Sequence, residues 1–457
     1  MSRLLLAGGR LLDPSVPEPE LAEADLYAEN GTVLAVGADA QRLASATGEP
    51  VERFDAGGKW VLPGFVQAHL HLCQTLLRNG PEGLELLPWL ASHVWPGEAA
   101  LDPETLGVSA RLGMAECLAS GVTAVLDMGT TRHSDILFRS AARAGIRYTG
   151  GNVLMDDPRT TPENLRVSAD DGLAETERLR SVWDGRERGR LRVAVSPRFA
   201  VSCTEELLRG AADLAGRHGL AIHTHASENL SECALVLERS GRGNLEYLDD
   251  VGLLTDGTCV AHAVHTGPED WERLAARKSA VAHCPTSNLR LASGVCPVPE
   301  LLAAGVRVAL GSDGAPCNDR LDPFREMRMA CLLPQTRPGA RARVSAKDAV
   351  AMATRQGARA IGLQGGDDLS PGGRADFVIL DPEAGWASPG GWVAEPWGAI
   401  VYSMGPENVF ATIVDGVLRF RATDPTVGGL KPAPWEIQKA VTTLRAAISR
   451  VPVPPNL

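Results

Sequence analysis

The sequence has no long apolar run and no closely spaced cysteine pair. Its apolar stretches fall short of the roughly 20 residues that cross a bilayer. The opening MSRLLLAGGRLLD lacks the longer apolar core and the cleavage site of a secretory signal, and we interpret it as a first strand. Nine scattered cysteines without a CxxC pair indicate reduced thiols. We therefore expect a cytoplasmic protein that makes no contact with a membrane.

The chain also lacks an excess of basic residues. Its net charge is −11 at pH 7, which argues against a nucleic-acid partner because phosphate recognition needs clustered lysine and arginine. Apolar residues make up 44% of the sequence, which is ample for a folded core.

Both ends of the chain show short strand patterns separated by turns. ENG and DAGG are turn signals between the N-terminal strand patterns. GGRADFVILDP and NVFATIVDGVLRF show a similar pattern of strands and turns near the end. This predicts one small composite β-sandwich domain built from residues 1–58 and 370–420, followed by a C-terminal helix and tail over residues 421–457.

Between these ends, residues 59–369 alternate apolar strands with helices. Asp102 precedes a helix that has proline in its first turn, and Ser345 and Asp348 form a capping pattern for a helix that closes this part. The alternation predicts an α/β fold with a parallel sheet. About eight βα units favour a (β/α)8 TIM-type barrel over an open sheet.

Ionisable side chains end the apolar strands of this segment, where a barrel carries its chemistry. They are His69, His71, Asp127, Arg198, His223, His225, His262, His283 and Asp313. An HxH pair alone could bind a metal or could be two polar residues at a strand end. Histidine on four such strands is hard to explain by packing and indicates a shared site.

A catalytic zinc takes three or four nitrogen and oxygen ligands and keeps a position open for water. His69, His71, His225 and Asp313 can supply this set, and Asp313 can also accept a proton. Glu228 lies three residues beyond His225 and can turn into the pocket as a general acid or base, although a single loop glutamate is usually solvated.

Five segments, PGFVQAHLHL, HTHASEN, AHAVHT, AHCPTSNLRLASG and LGSDGAPCN, resemble the amidohydrolase superfamily in its cytosine-deaminase and chlorohydrolase-like branch. The resemblance covers nearly the whole chain. It implies a barrel with a composite β-sandwich, one Zn2+ or Fe2+ ion, and hydrolysis of C–N or occasionally C–Cl bonds of heteroaromatic rings. Binuclear relatives often bridge two metals with a lysine on the fourth strand. No lysine lies between Lys59 and Lys278, so we expect one divalent ion.

Within this family the chain is most similar to 5′-deoxyadenosine, S-adenosylhomocysteine and methylthioadenosine deaminases, through HLCQTLLRN, LELLPWLASHVWPGE and SDGAPCNDRLDPFREMR. The resemblance implies that the metal ligands are His69, His71, His225 and Asp313. It makes Glu228 the proton shuttle, and His262 the residue that orients the attacking water or the leaving group. Glu98 would hold the ribose hydroxyls, and Trp89 would line the pocket.

Two features depart from this group. Arg198 stands where S-adenosylhomocysteine deaminases typically carry histidine, and Arg198 with Gln74 resembles the pair that grips guanine in guanine deaminases. The segment AHAVHT replaces the usual AHCVWL and adds His265, to which we assign no role; His283 also receives none.

We therefore expect a metal-dependent aminohydrolase that converts an adenine-type nucleoside to its inosine analogue and ammonia. Asp313 would take a proton from the attacking water, and Glu228 would protonate the ring nitrogen beside the reacting carbon. Guanine deamination, or another ring amino- or chlorohydrolase activity, is the alternative. A non-enzymatic homologue would need missing ligands, and none is missing. The expected partner is a purine nucleoside or base, bound by a homo-oligomer.

Overall fold

The computed structural model describes residues 2–16, 23–336, 343–363, 368–387, 395–424 and 430–451. Within these ranges, no helix combines the length and the apolar composition that a membrane span requires. The nine cysteines all lie in them as unpaired thiols. The expected C-terminal tail beyond residue 451 lies outside the described residues.

The strands are β1 (Arg3–Leu11), β2 (Glu23–Glu29), β3 (Thr32–Val36), β4 (Glu52–Asp55), β5 (Trp60–Pro63), β6 (Phe65–His71), β7 (Val122–Thr130), β8 (Arg147–Leu154), β9 (Leu191–Pro197), β10 (Ala221–Ala226), β11 (Thr258–His262), β12 (Ala280–His283), β13 (Arg307–Leu310), β14 (Asp313–Gly314), β15 (Phe377–Leu380), β16 (Val409–Val414) and β17 (Val417–Arg421).

The helices are α1 (Ala38–Ala46), α2 (Leu86–Trp89), α3 (Trp95–Ala99), α4 (Pro103–Ala119), α5 (Asp135–Ala144), α6 (Ala169–Trp183), α7 (Arg186–Gly189), α8 (Glu205–His218), α9 (Leu230–Ser240), α10 (Asn244–Asp250), α11 (Pro268–Arg277), α12 (Pro285–Arg290), α13 (Val298–Ala303), α14 (Ala315–Asn318), α15 (Pro323–Leu332), α16 (Ala346–Ala353), α17 (Arg355–Ala360), α18 (Pro396–Tyr402) and α19 (Pro434–Ile448).

Strands β6 to β13 form a parallel sheet in chain order. β13 pairs with β12 at one edge of this sheet. β14 follows β13 after two intervening residues and pairs with β6 at the other edge, which closes the sheet into a barrel. Between them, Gly311 passes so close to β6 that an added Cβ would lie 2.8 Å from the Cβ of His69. The predicted (β/α)8 barrel is confirmed.

The terminal segments form a separate eight-stranded sheet. β5 lies at its centre, antiparallel to β15 and parallel to β1, so the N-terminal and C-terminal strands share one sheet. The sheet buries an apolar cluster that includes Leu6, Leu26, Val61 and Phe377. The predicted small β domain from both termini is confirmed. β5 belongs to this sheet, although the sequence analysis placed residues from 59 onward in the barrel segment.

The helix caps follow the sequence closely. The side chain of Asp102 accepts a hydrogen bond from the Thr105 amide at 2.8 Å at the start of α4. Ser345 begins α16 as predicted, but the helix expected from there is two helices, because Thr354 leaves helical geometry (φ −125°, ψ −98°). α17 can then pack against the bottom of the barrel, where a Cβ on Gly357 would lie 2.8 Å from the Cβ of Val66.

Candidate active site

Four of the predicted ligands converge at the C-terminal end of the barrel. His69 and His71 end β6, His225 lies on β10, and Asp313 lies on β14. Their ligand atoms all lie within 4.8 Å of one another, and all four side chains are buried. The Nε2 atoms of His69 and His71 are each 3.3 Å from Oδ1 of Asp313.

The donor set fits a divalent metal ion. Nδ1 of His225 donates to the carbonyl oxygen of Arg198 at 2.7 Å, which leaves its Nε2 with a free lone pair. That atom lies 3.3 Å from Nε2 of His71, close enough for one cation to bind both rings. Nε2 of His69 is buried without a hydrogen-bond partner. Three imidazoles and one carboxylate are the ligand chemistry of a catalytic zinc site.

The protonation states agree with this role. Burial lowers the pKa of His69 to about 4 and that of His225 well below its ordinary value, so both rings are neutral at pH 7. Burial alone would raise the pKa of Asp313, but the His69 and His71 rings hold it well below its ordinary value. The aspartate is therefore a carboxylate, as metal binding requires.

Glu228 and His262 lie beside this cluster. Oε2 of Glu228 is 3.4 Å from Nε2 of His262, and both side chains are buried. Burial, with the neighbouring carboxylate of Asp313, raises the pKa of Glu228 well above its ordinary value. This shift favours the protonated form of Glu228, which suits it to act as an acid.

A second glutamate, which the sequence analysis missed, fixes the backbone around Glu228. The carboxylate of Glu232 accepts the amides of Ser227, Glu228 and Asn229 at 3.2, 2.7 and 3.3 Å. The sequence signal was present, because Asn229 caps α9 and Glu232 occupies the third helical position of a capping box. The three hydrogen bonds to Glu232 therefore fix the backbone of the loop that carries Glu228.

Gln74, Glu98 and Arg198 form a buried hydrogen-bonded set. Nε2 of Gln74 donates to Oε1 of Glu98 at 2.7 Å, and a guanidinium nitrogen of Arg198 donates to Oε2 at 2.6 Å. The carboxylate therefore orients both neighbours and neutralises the arginine charge. Bonds to charged groups are stronger than neutral ones, so this set is rigid.

A cavity opens over the metal ligands. Its predicted lining residues are His71, Gln74, Trp89, Arg198, His225, Glu228, His262 and Asp313. The lining residues that the sequence analysis missed are Leu86, Leu90, Phe199 and Leu291. His69 and Glu98 lie outside the cavity lining. Apolar walls around a few polar groups suit a planar heteroaromatic ring.

One wall of the cavity comes from the segment around α2 and α3. Leu86 and Trp89 lie on α2, and a π-helical turn over Leu90–Val94 connects it to α3. π turns inside helices are frequent at functional sites. Leu86, Trp89 and Leu90 recur at helical spacing in LELLPWL, which is the signal that could have identified this wall.

Three other strand-end residues lie outside the cavity. Asp127 accepts the Leu72 amide and the Tyr148 hydroxyl, both at 2.9 Å. Nε2 of His223 lies 2.8 Å from Nδ1 of His69 and orients that ring. His283 is buried, and burial lowers its pKa to about 3.

A closed parallel barrel with three histidines and one aspartate at its C-terminal end defines the class of metal-dependent barrel hydrolases. The chain belongs to the amidohydrolase family, whose model matches residues 60–419. The family expected from the sequence motifs is confirmed.

The chain is similar to deaminases over most of its length. It is 38% identical over 369 residues to the 5′-deoxyadenosine deaminase of Methanothermobacter thermautotrophicus, covering 80% of this chain and 83% of that protein. It is 36% identical over 420 residues to the 5-methylthioadenosine/S-adenosylhomocysteine deaminase of Natronomonas pharaonis, covering 91% and 92%. The crystal structure of an adenosine deaminase from Xanthomonas campestris with bound zinc matches with a TM-score of 0.85 and 27% identity, covering 98% and 99%.

Proposed function

We propose that the chain is a single-metal aminohydrolase that deaminates an adenine-type nucleoside to its inosine analogue and ammonia. One observation carries this proposal: a buried cluster of three histidines and an aspartate meets a buried glutamate at one cavity. The similarity to 5′-deoxyadenosine and methylthioadenosine/S-adenosylhomocysteine deaminases supports the substrate class.

The four clustered side chains would hold the metal, with Zn2+ as our proposal and Fe2+ as the alternative. A bound divalent ion would lower the pKa of a water molecule toward about 7. The chain's own residues then handle the protons. The carboxylate of Asp313 accepts a proton from the water, and Glu228 donates a proton to the ring nitrogen next to the reacting carbon.

His262 serves as a hydrogen-bond acceptor in this scheme. Its Nδ1 lies 2.8 Å from Oδ1 of Asn288, and because an amide oxygen only accepts, Nδ1 carries the proton. Nε2 therefore keeps its lone pair toward Glu228 and the cavity. It can hold one hydrogen of the attacking water or of the departing amine.

The substrate would lie between Trp89 and the remaining apolar walls. We propose that Arg198 and Gln74 contact the purine, since both line the cavity. Glu98 is engaged by these two residues, yet a carboxylate has about four acceptor positions. We propose that the remaining positions accept the ribose hydroxyls when the substrate displaces Gln74 or Arg198, since Glu98 itself lies outside the cavity lining.

We propose one metal per chain. No barrel strand carries a lysine that could bridge a second ion, and Lys59 pairs with Asp381 in the terminal domain at 2.9 Å. Elemental analysis of purified protein should give about one equivalent of zinc or iron. Two tightly bound equivalents would show that the site is binuclear.

The substrate class is tested by ammonia release. The panel contains 5′-deoxyadenosine, methylthioadenosine, S-adenosylhomocysteine, adenosine and guanine, assayed with the same metal-loaded preparation. We expect at least one adenosine derivative to exceed guanine in kcat/KM by about tenfold, a difference of about 1.4 kcal/mol in transition-state binding. Turnover of guanine with no activity on any adenosine derivative would replace the proposal by guanine deamination.

A further inference from the structure

One short segment contacts the groups that handle protons in the proposed function. This positioning segment, residues 285–293, contains α12 and the turn after it. The hydroxyl of Ser287 donates to Oδ2 of Asp313 at 2.6 Å, on the oxygen opposite the histidines. Asn288 binds the protonated Nδ1 of His262 at 2.8 Å. Both side chains are buried, so these contacts do not compete with water.

The last residue of the segment contacts the third group. Oγ of Ser293 lies 3.5 Å from Oε1 of Glu228, and its carbonyl oxygen accepts Nε2–H of His265 at 2.8 Å. The main-chain amide of His265 donates to the carbonyl oxygen of Ser227 at 2.8 Å. A closed ring of contacts therefore runs from Glu228 through Ser293 and His265 back to the residue before Glu228.

The backbone of this ring is in an uncommon conformation. Left-handed φ angles occur at Ser227 (54°), His262 (77°), Ala263 (47°) and Ala292 (54°). Such conformations are unfavourable for residues other than glycine and persist only where surrounding contacts hold them. The contacts of His265 connect two of these strained turns.

We propose that the segment 285–293 positions Asp313, His262 and Glu228 together, and that His265 is a positioning residue that acts on Glu228 through Ser293. This inference rests on the proposed function in assigning proton transfer to Glu228. It does not depend on which purine reacts, since a ring nitrogen must be protonated in adenine-type and guanine-type deamination alike.

The test compares His265→Phe, which removes the donor, with His265→Gln, whose amide nitrogen replaces Nε2–H. Ser293→Ala removes only the hydroxyl, and the double variant His265→Phe/Ser293→Ala completes the cycle. His218→Phe is the matched control, because Nε2 of His218 contacts Glu177 at 2.9 Å at the opposite end of the barrel. Kinetics are measured on the substrate that the wild type deaminates fastest.

We expect His265→Phe and Ser293→Ala each to lower kcat about tenfold, the factor of one hydrogen bond to a catalytic group. KM should stay within about twofold and metal content unchanged, since neither residue lines the cavity or binds the metal. His265→Gln should keep most of the rate, and His218→Phe should match the wild type. The double variant should be no slower than Ser293→Ala, because the two residues act in series.

Amide hydrogen exchange of metal-free protein gives a second readout. Exchange within residues 287–294 should speed up in His265→Phe and not in His265→Gln. An unchanged kcat in Ser293→Ala overturns the proposal even if His265→Phe does not fold, since removing one hydroxyl leaves the packing intact. Multiplicative losses in the double variant overturn the action of His265 through Ser293. If only guanine is deaminated, the proposed function fails, and the same cycle on guanine still decides this inference.

Discussion

At the level of single residues, Glu228 is the proton donor that we propose. Burial and the nearby Asp313 carboxylate raise the pKa of its side chain well above the ordinary value, which favours the protonated form. Glu228→Gln keeps the shape and a hydrogen-bond donor but cannot transfer a proton. We expect kcat to fall by about 100-fold or more, the usual contribution of a general acid. KM and metal content should change little.

Steady-state kinetics and elemental analysis check this prediction. Glu238→Gln, on the exposed face of α9, is the matched control and should behave as the wild type. A Glu228→Gln enzyme with near-normal kcat would remove Glu228 from proton transfer.

We expect the buried Arg198–Glu98 ion pair to affect both substrate binding and the free energy of unfolding. Both side chains are nearly inaccessible, at 4% and 5% exposure, so Arg198→Ala leaves a buried carboxylate without its cation. Removing one partner of a buried pair costs about 3–5 kcal/mol. Loss of the contact that we propose between Arg198 and the purine should also raise KM. Urea unfolding measures the first effect and kinetics the second.

A second variant separates these effects. Glu98→Gln in the Arg198→Ala background should recover most of the lost free energy of unfolding, because no buried charge remains, and should leave KM high. Normal unfolding of Arg198→Ala would mean that the pair does not contribute to stability.

At the scale of elements, Glu326 on α15 connects α12 to α14. Its carboxylate accepts the Thr286 amide at 3.2 Å and the side-chain amide of Asn318 at 2.8 Å. Burial raises its pKa to about 7 from an ordinary value of 4.5. The folded protein therefore holds this proton more tightly than the unfolded chain, so stability falls as pH rises from about 4.5 to 7.

The prediction is that Glu326→Gln stabilises the protein at pH 8 and has little effect at pH 4.5. The difference should be about 3 kcal/mol, since each pKa unit corresponds to about 1.4 kcal/mol. Thermal or urea unfolding of both proteins across this pH range measures it. Parallel stability curves for wild type and variant would show that Glu326 does not titrate between these values.

Individual elements were predictable where their signals are local. Asp102 and Ser345 mark helix starts because a cap depends on its own side chain and the next few amides. The break at Thr354 was not predictable, because it depends on the close approach of Gly357 to Val66 on a strand almost 300 residues earlier. The predicted domain bound at residue 59 likewise separated β5 from the sheet in which it lies, since an apolar run does not reveal its pairing partners.

At the scale of the molecule, an ion pair joins the two domains. Arg147 at the start of β8 donates to both carboxylate oxygens of Asp376, just before β15. Oδ1 of Asp376 also accepts the Asp415 amide at 2.8 Å. This junction lies at the barrel end opposite the metal ligands. Arg147→Met should lower the free energy of unfolding by about 3 kcal/mol and leave kcat unchanged in folded protein. A loss of metal or of kcat without unfolding would contradict the separation of the two ends.

Barrel closure explains which parts of the site the sequence reveals. The ligands come from three strands, β6, β10 and β14, and could be grouped because the C-terminal ends of barrel strands share one rim. The contacts of Ser287 and Ser293 could not be assigned, because a buried and a solvated polar residue look alike in a single sequence. Glu98 bonds to Gln74 and Arg198 and lies behind them, outside the cavity lining. The spacing of these residues along the chain does not predict which of them reaches the cavity.

The central claim is that water replaces the ring amine of an intact nucleoside. The most direct measurement incubates metal-loaded protein with 5′-deoxyadenosine in oxygen-18 water and determines product mass and released ammonia. We predict one equivalent of ammonia and one oxygen-18 atom on the base, with the bond between base and sugar intact. Free adenine without ammonia, or a deaminated product without the label, would contradict the account.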